Sequence, residues 1–306
     1  MSLRKSTRTI VRTSTLFYGE KPIPKLATKS KSSMKKNKTA AVTRTTKKLK
    51  ASSDPSSSNV ISAASATTIS DEKSAELRTF DIQDAIDHLK VSDPKLAPYM
   101  TEESFEYLRK RLGNANTKNP FRALATSIIY QQIHGKAAAA ICTRFIKLFD
   151  PPVPVPDIVN SDFDWFPTPK IVLDKTLEEL KAAGLSTRKA EYIQSLAEKF
   201  RDCSVDIDRL QSMSDDELSQ FLCSVKGIGQ WTVDMFMIFN LGRPNVLPLT
   251  DLAVKKAVAR HFGLPIGPKK FPTADEMCRV TKIWEPYRTV ATLYMWRGSS
   301  TVISAD

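Results

Sequence analysis

From Phe80 onward the chain is a succession of apolar positions at helical spacing; before it, polar residues dominate and no periodic apolar face develops. The run Phe80 to Leu89 reads as a helix, and Asp93-Pro94 stops it. Asn119-Pro120 opens a long helix, Phe121 to Phe149, whose apolar residues (Leu124, Ile128, Ile129, Ile133, Ala137, Ile141, Phe145 and Leu148) recur mostly at steps of three and four. Inside it, Gly135 is the residue expected to break the helix. The prolines of the stretch Asp150 to Pro156 lack amide donors and fix φ, so it cannot be helical; it reads as a hinge between two helical lobes. Thr176 to Ala183 is a helix closed by Gly184, and another helix follows to Phe200.

The pattern is tightest between Ser214 and Phe262. Ser214-Asp-Asp-Glu217 is a capping box that starts an amphipathic helix. Gly227-Ile-Gly229 then separates it from a strongly apolar run, Val233 to Leu241. This is helix, tight turn, helix. Glycine supplies the positive φ that a sharp turn needs. Amides at the start of the second helix point outward as donors and suit a phosphate. No strand precedes the turn and a third glycine is missing, so it is not a dinucleotide fingerprint. Because Gln230 follows Gly229, it is not a Lys-Ser/Thr phosphate loop either. Asp251 comes next, after the Pro-containing segment Leu247 to Thr250, and opens a helix bearing Lys255, Lys256 and Arg260 on its outer side. Taken alone, Asp251 is an ordinary N-cap.

Charge divides the 306 residues sharply. Residues 1–50 hold fifteen of the 46 Lys and Arg but one of the 33 acidic residues, Glu20; the remainder is close to balanced. Residues 1–76 therefore read as a disordered basic tail, too polar to offset its conformational entropy by burial. Its clusters Lys35-Lys36-Asn-Lys38 and Lys47-Lys48-Leu-Lys50 fit nuclear targeting and non-specific phosphate binding. The first fourteen residues also fit a mitochondrial presequence; two separate clusters well inside the chain favour the nucleus. No apolar run is long enough to span a bilayer. The four cysteines lie 61, 20 and 55 positions apart, a spacing that suits no metal cluster, and with no secretory h-region in the sequence they read as reduced, mostly buried thiols.

Five phrases occur in order. They are Tyr130-Gln-Gln-Ile-His-Gly135, Gly184-Leu-Ser-Thr-Arg-Lys-Ala190, the Gly227-Ile-Gly229 hairpin with Trp231, Leu247 to Asp251, and Trp284-Glu-Pro-Tyr-Arg288 with its helix to Trp296. Together they resemble the helix-hairpin-helix, Gly/Pro...Asp superfamily of DNA glycosylases across about residues 80–300. The match is nearest to the alkylbase (3-methyladenine) branch in its bacterial inducible and yeast forms. The resemblance implies an all-α fold: a two-lobed helical bundle with a helix-hairpin-helix motif over residues 77–306, behind the tail, with double-stranded DNA in the cleft as partner of a monomer.

It further implies a monofunctional enzyme that everts alkylated purines such as 3-methyladenine and 7-methylguanine and hydrolyses the N-glycosidic bond in base excision repair. Asp251 takes the place of the carboxylate that stabilises the oxocarbenium-like sugar or positions water. Trp231 and Trp296 fall on pocket walls, and Met235 stands where the bacterial relative has a third aromatic. Gln132 and His134 match the side chains that enter the minor groove, while Lys226, Gly227, Gly229, Gln230 and Thr232 belong to the phosphate-holding hairpin. Bifunctional relatives carry a Schiff-base lysine two residues after the second hairpin glycine; Trp231 occupies that place, so strand cleavage is not expected. No cofactor is implied beyond a Na or K ion on the carbonyls of Cys223, Val225 and Ile228. Two departures, Tyr130 for the usual Ser and Met235, leave room for a catalytically weak damaged-DNA-binding module. A chromatin-associated architectural protein working through its tail is a third reading.

Overall fold

The computed structural model describes residues 80–302, apart from 113–118, 160–162, 202–204 and 268–269, with side chains described up to Arg297. The basic tail, its two lysine clusters and Cys203 lie outside the described residues. Those that are described form helices and loops, with one isolated bridge between Gly267 and Lys270. No helix among them is long and apolar enough to cross a membrane.

The helices assemble as two lobes. One combines the ends of the described chain: α1 (Ile82–Ser92), α2 (Glu102–Leu112), α11 (Leu252–Phe262), α12 (Ala274–Val280) and α13 (Arg288–Val302). Here α13 packs on α11, α1 and α2. The other combines α3 (Pro120–Tyr130), α4 (Gly135–Lys147), α5 (Pro169–Leu173), α6 (Leu177–Ala182), α7 (Thr187–Lys199), α8 (Ile207–Ser212) and α9 (Asp215–Cys223). Within it, α3, α5 and α6 pack on α7, and α4 on α3. The hairpin helix α10 (Gln230–Phe239) packs on α9, α3 and α2, so it touches both lobes. That placement explains its composition: every residue from Thr232 to Ile238 is buried, as befits a helix walled in on most sides.

Side-chain caps account for most helix starts. Thr176, Ser214 and Thr273 each complete a capping box with the glutamate three residues on. Asn119 caps α3 and Asp81 caps α1, while Gly184, at φ 99°, follows α6. The far end of α11 is tied to the beginning of the domain. His261 Nε2 lies 2.6 Å from Asp93 Oδ2, and Trp284 Nε1 donates to the same oxygen at 2.7 Å. Trp284 is fully buried in the core.

Three expectations are corrected. The expected long helix is two: α3 ends at Tyr130, the chain turns through Gln131–His134, and Gly135 opens α4 rather than breaking a helix. The break comes from Gln132, at φ 58°, and from His134, whose Nδ1 accepts the Lys136 amide as the cap of α4. The proline stretch 150–156 connects α4 to α5, both in the same lobe, so it is not the hinge between lobes. Among the thiols, Cys142 is buried, and that burial raises its pKa to about 11; Cys223 is exposed.

Candidate active site

Asp251 sits where the two lobes meet. Its backbone geometry is that of an N-cap, and Oδ1 accepts the Val254 amide at 2.9 Å, so the capping expectation holds. The same carboxylate has two further partners. Trp231 Nε1, from the first turn of α10, donates to Oδ2 at 2.9 Å, and Trp296 Nε1, from α13, donates to Oδ1 at 3.2 Å. Three helices thus converge on one side chain that is itself 9% exposed. A carboxylate has about four acceptor sites. Two bonds fall on Oδ1 and one on Oδ2, so Oδ2 has the greater remaining capacity for an incoming water or sugar.

The surroundings are aromatic and anisotropic. Trp296 is buried and its ring is stacked at 19° and 6.1 Å from Phe239, over which the Arg111 guanidinium lies 4.9 Å from the centroid. That stack fixes the indole plane and so the direction of its N–H. Trp231, by contrast, is half-buried, and the residues flanking Asp251 in the chain, Thr250 and Leu252, are exposed. Of the two indoles on the carboxylate, Trp231 is the one that reaches solvent. Met235, four residues after Trp231, lies on the same side of α10 and is buried. A surface groove of about 620 Å³ elsewhere, between α7, α8 and α9, is lined by residues such as Lys199, Arg209 and Phe221 and contains none of these groups.

A second carboxylate stands behind the first. Asp234 is buried on α10, with Oδ1 accepting from Gln230 Nε2 at 2.8 Å and Oδ2 without a hydrogen-bond partner. Burial pushes its pKa up to about 6, and the negative charges of Asp251 and Asp215 add to the rise.

The hairpin has the expected shape. Gly227, at φ 85°, has the Tyr192 ring against it so closely that a Cβ would come within 2.1 Å of a ring carbon. Around Gly229, N-cap of α10, nothing lies within 4 Å of where a Cβ would be. The open side of the turn is thus the Gly229 side, where the first amides of α10 run out of helical acceptors. Lys226 is exposed and its amide donates to Ser195 Oγ at 3.2 Å. Gln230, also exposed, spends its side chain on Asp234, Ser219 and Cys223. Thr232 does not sit with them: it is 6% exposed and faces the core, because the third residue of α10 is already turned inward.

Gln132 and His134 are both exposed on the turn between α3 and α4. What the sequence did not mark is how that turn is held. Gln131 Nε2 donates to the Gly227 carbonyl at 3.0 Å, joining the turn to the hairpin. Lys189 Nζ donates to the carbonyls of Ile129 (2.6 Å) and Gln131 (2.8 Å) at the end of α3. Burial lowers the pKa of this ammonium to about 8. The Gly184 to Ala190 phrase contains Lys189, but nothing in its spacing names a partner some sixty residues away.

The chain has relatives among known proteins. Residues 125–286 match the model of the HhH-GPD superfamily base excision DNA repair proteins. A DNA-3-methyladenine glycosylase of Schizosaccharomyces pombe is 32% identical over 205 residues, covering 65% of this chain and 83% of that protein. A Bacillus subtilis protein is also 32% identical, over 179 residues that make up 58% of each chain, so the match spans little more than half of that relative. In structure, a DNA-3-methyladenine glycosidase from Bacillus halodurans superposes with a TM-score of 0.56 at 27% identity, over 72% of this chain and 91% of the other.

Proposed function

The chain belongs to the HhH-GPD superfamily of base excision DNA repair proteins, and on that premise we propose that it is a monofunctional DNA glycosylase releasing alkylated purines from duplex DNA. The observation that carries the proposal is the convergence of two indole N–H groups from separate helices on the Asp251 carboxylate. An N-cap needs no such support; a group that must meet a developing charge in one orientation does.

The residues divide the work. The hairpin around Gly227 and Gly229 holds a phosphate on its open side, aided by the dipole of α10. Gln132 and His134 occupy the space that the everted nucleotide leaves. The half-buried indole face of Trp231 attracts a cationic base such as 7-methylguanine by about 0.5–2 kcal/mol. Asp251 faces C1′ of the sugar; as the base departs with its bonding electrons, Oδ2 stabilises the oxocarbenium-like sugar and orients the water that adds to it. A cationic base leaves without a strong general acid. Trp231 occupies the place a Schiff-base lysine would need, so the strand stays intact. The protein acts as a monomer, and the carbonyls of Cys223, Val225 and Ile228, at the end of α9 and in the turn, would suit a monovalent cation through hard oxygen donors.

Incubating the purified protein with methylated duplex DNA tests the proposal. Free 3-methyladenine and 7-methylguanine are expected, with no strand nicks before alkali treatment. Absence of both free bases would sink it.

A further inference from the structure

Three residues on one side of α7 reach both DNA-facing turns. Lys189 closes the end of α3 by donating to the carbonyls of Ile129, in its last turn, and of Gln131, just past it. Tyr192 fills the space that Gly227 leaves by lacking a side chain. Ser195 accepts the Lys226 amide through Oγ. Opposite them, Gln131 spans the gap between the two turns by donating to the Gly227 carbonyl. A closed set of contacts therefore runs from α7 to the Gln131–His134 turn, across to the hairpin, and back to α7.

On the reading proposed above, these two turns have different tasks, one gripping a phosphate and the other inserting into the helix. We infer that Lys189 is a positioning residue which, with Gln131, locks the inserting turn to the phosphate-gripping hairpin so that they engage DNA as one rigid unit. The inference rests on that reading. Gln132 is the residue that needs such support: it is exposed and held at φ 58°, a conformation uncommon for residues other than Gly, Asn, Asp and His. A helix-end lysine that only adds stability would be an ordinary C-cap. A brace has a further consequence: its loss hurts only when the turn has to push a stacked base out.

The test uses the full chain and Lys189→Met, which keeps the apolar stem and removes the donor. Single-turnover release of 7-methylguanine is measured from a fully paired duplex and from the same strand with the target in a one-nucleotide bulge, where pairing is already broken. Misplacing a working group by an ångström costs up to ~100-fold. The expected result is a loss of about 10-fold or more on the paired target and under about 2-fold on the bulge, with Lys189→Arg restoring the paired rate. Equal losses on both substrates, or none on the paired one, overturn the inference. In parallel, 2-aminopurine opposite an abasic site reports insertion directly. Its fluorescence rise on binding is expected to shrink in Lys189→Met while affinity for undamaged duplex stays unchanged; an undiminished rise counts against the brace. This second arm needs no base release, so a wild-type protein without glycosylase activity would sink the functional reading while the brace is still decided. If Lys189→Met does not fold, Gln131→Ala, in the turn itself, is expected to show the same paired-over-bulged selectivity, and equal losses there overturn the inference as well.

Discussion

Trp231 Nε1 donates to Asp251 Oδ2 across 2.9 Å, from the first turn of α10 to the residue that caps α11. The indole therefore has two jobs, a face for the base and an N–H for the carboxylate, and they separate by mutation. Trp231→Phe keeps a ring and removes the donor; about a 10-fold loss in single-turnover base release is expected. Trp231→Ala removes both and should lose about 100-fold. If Trp231→Phe releases base at the wild-type rate, the N–H has no share in holding Asp251.

Asp234 makes the fold sensitive to pH. Its folded-state pKa, raised to about 6, means that the folded protein holds this proton more tightly than the unfolded chain does. Its stabilising share is complete below about pH 4 and disappears as pH rises through about 6. Asp234→Asn removes that decline. The variant is expected to be the more stable protein at pH 7.5, by on the order of 1–3 kcal/mol, with the advantage shrinking toward pH 4. Urea denaturation at several pH values measures this; a pH-independent difference would show that Asp234 does not titrate as described.

The two hairpin glycines should respond differently to alanine. At Gly227 an added Cβ meets the Tyr192 ring and the backbone has positive φ, so Gly227→Ala is expected to cost roughly 1–3 kcal/mol and weaken DNA binding. At Gly229 the space is open and φ is −109°, so Gly229→Ala should change stability by under about 1 kcal/mol. Thermal melts and duplex titrations of the pair check this; equal effects would contradict the hairpin geometry.

How much of this could be read from sequence depended on the range of the interactions. The hairpin was legible because glycine, capping box and apolar run are local signals within some twenty residues. Asp251 was legible as a cap for the same reason, and as a catalytic group only through its resemblance to a family. Lys189 and Gln131 were not legible, because they act on backbone carbonyls 58 to 96 residues away and a carbonyl leaves no mark on composition. Thr232, which the resemblance assigns to the phosphate-holding hairpin, is buried because α10 is walled in by both lobes, and no local signal marks that burial. The prolines of 150–156 rightly excluded a helix, yet proline content says nothing about which lobe each neighbouring helix joins.

The same long-range logic applies to Asp93, whose one oxygen holds both His261 and Trp284. Asp93→Ala leaves two buried donors without an acceptor and unties α11, the helix that Asp251 caps, at its far end. A loss of roughly 2–4 kcal/mol is expected in denaturant melts. A loss within about 0.5 kcal/mol would mean that this tie is dispensable.

The most direct measurement concerns Asp251 itself. Asp251→Asn preserves shape and removes the negative charge, and it is assayed for 7-methylguanine release from methylated duplex alongside affinity for an abasic-site duplex. The account predicts a loss of base release of about 100-fold or more with affinity kept within about 3-fold. An Asp251→Asn protein that still releases the base at near the wild-type rate would contradict it.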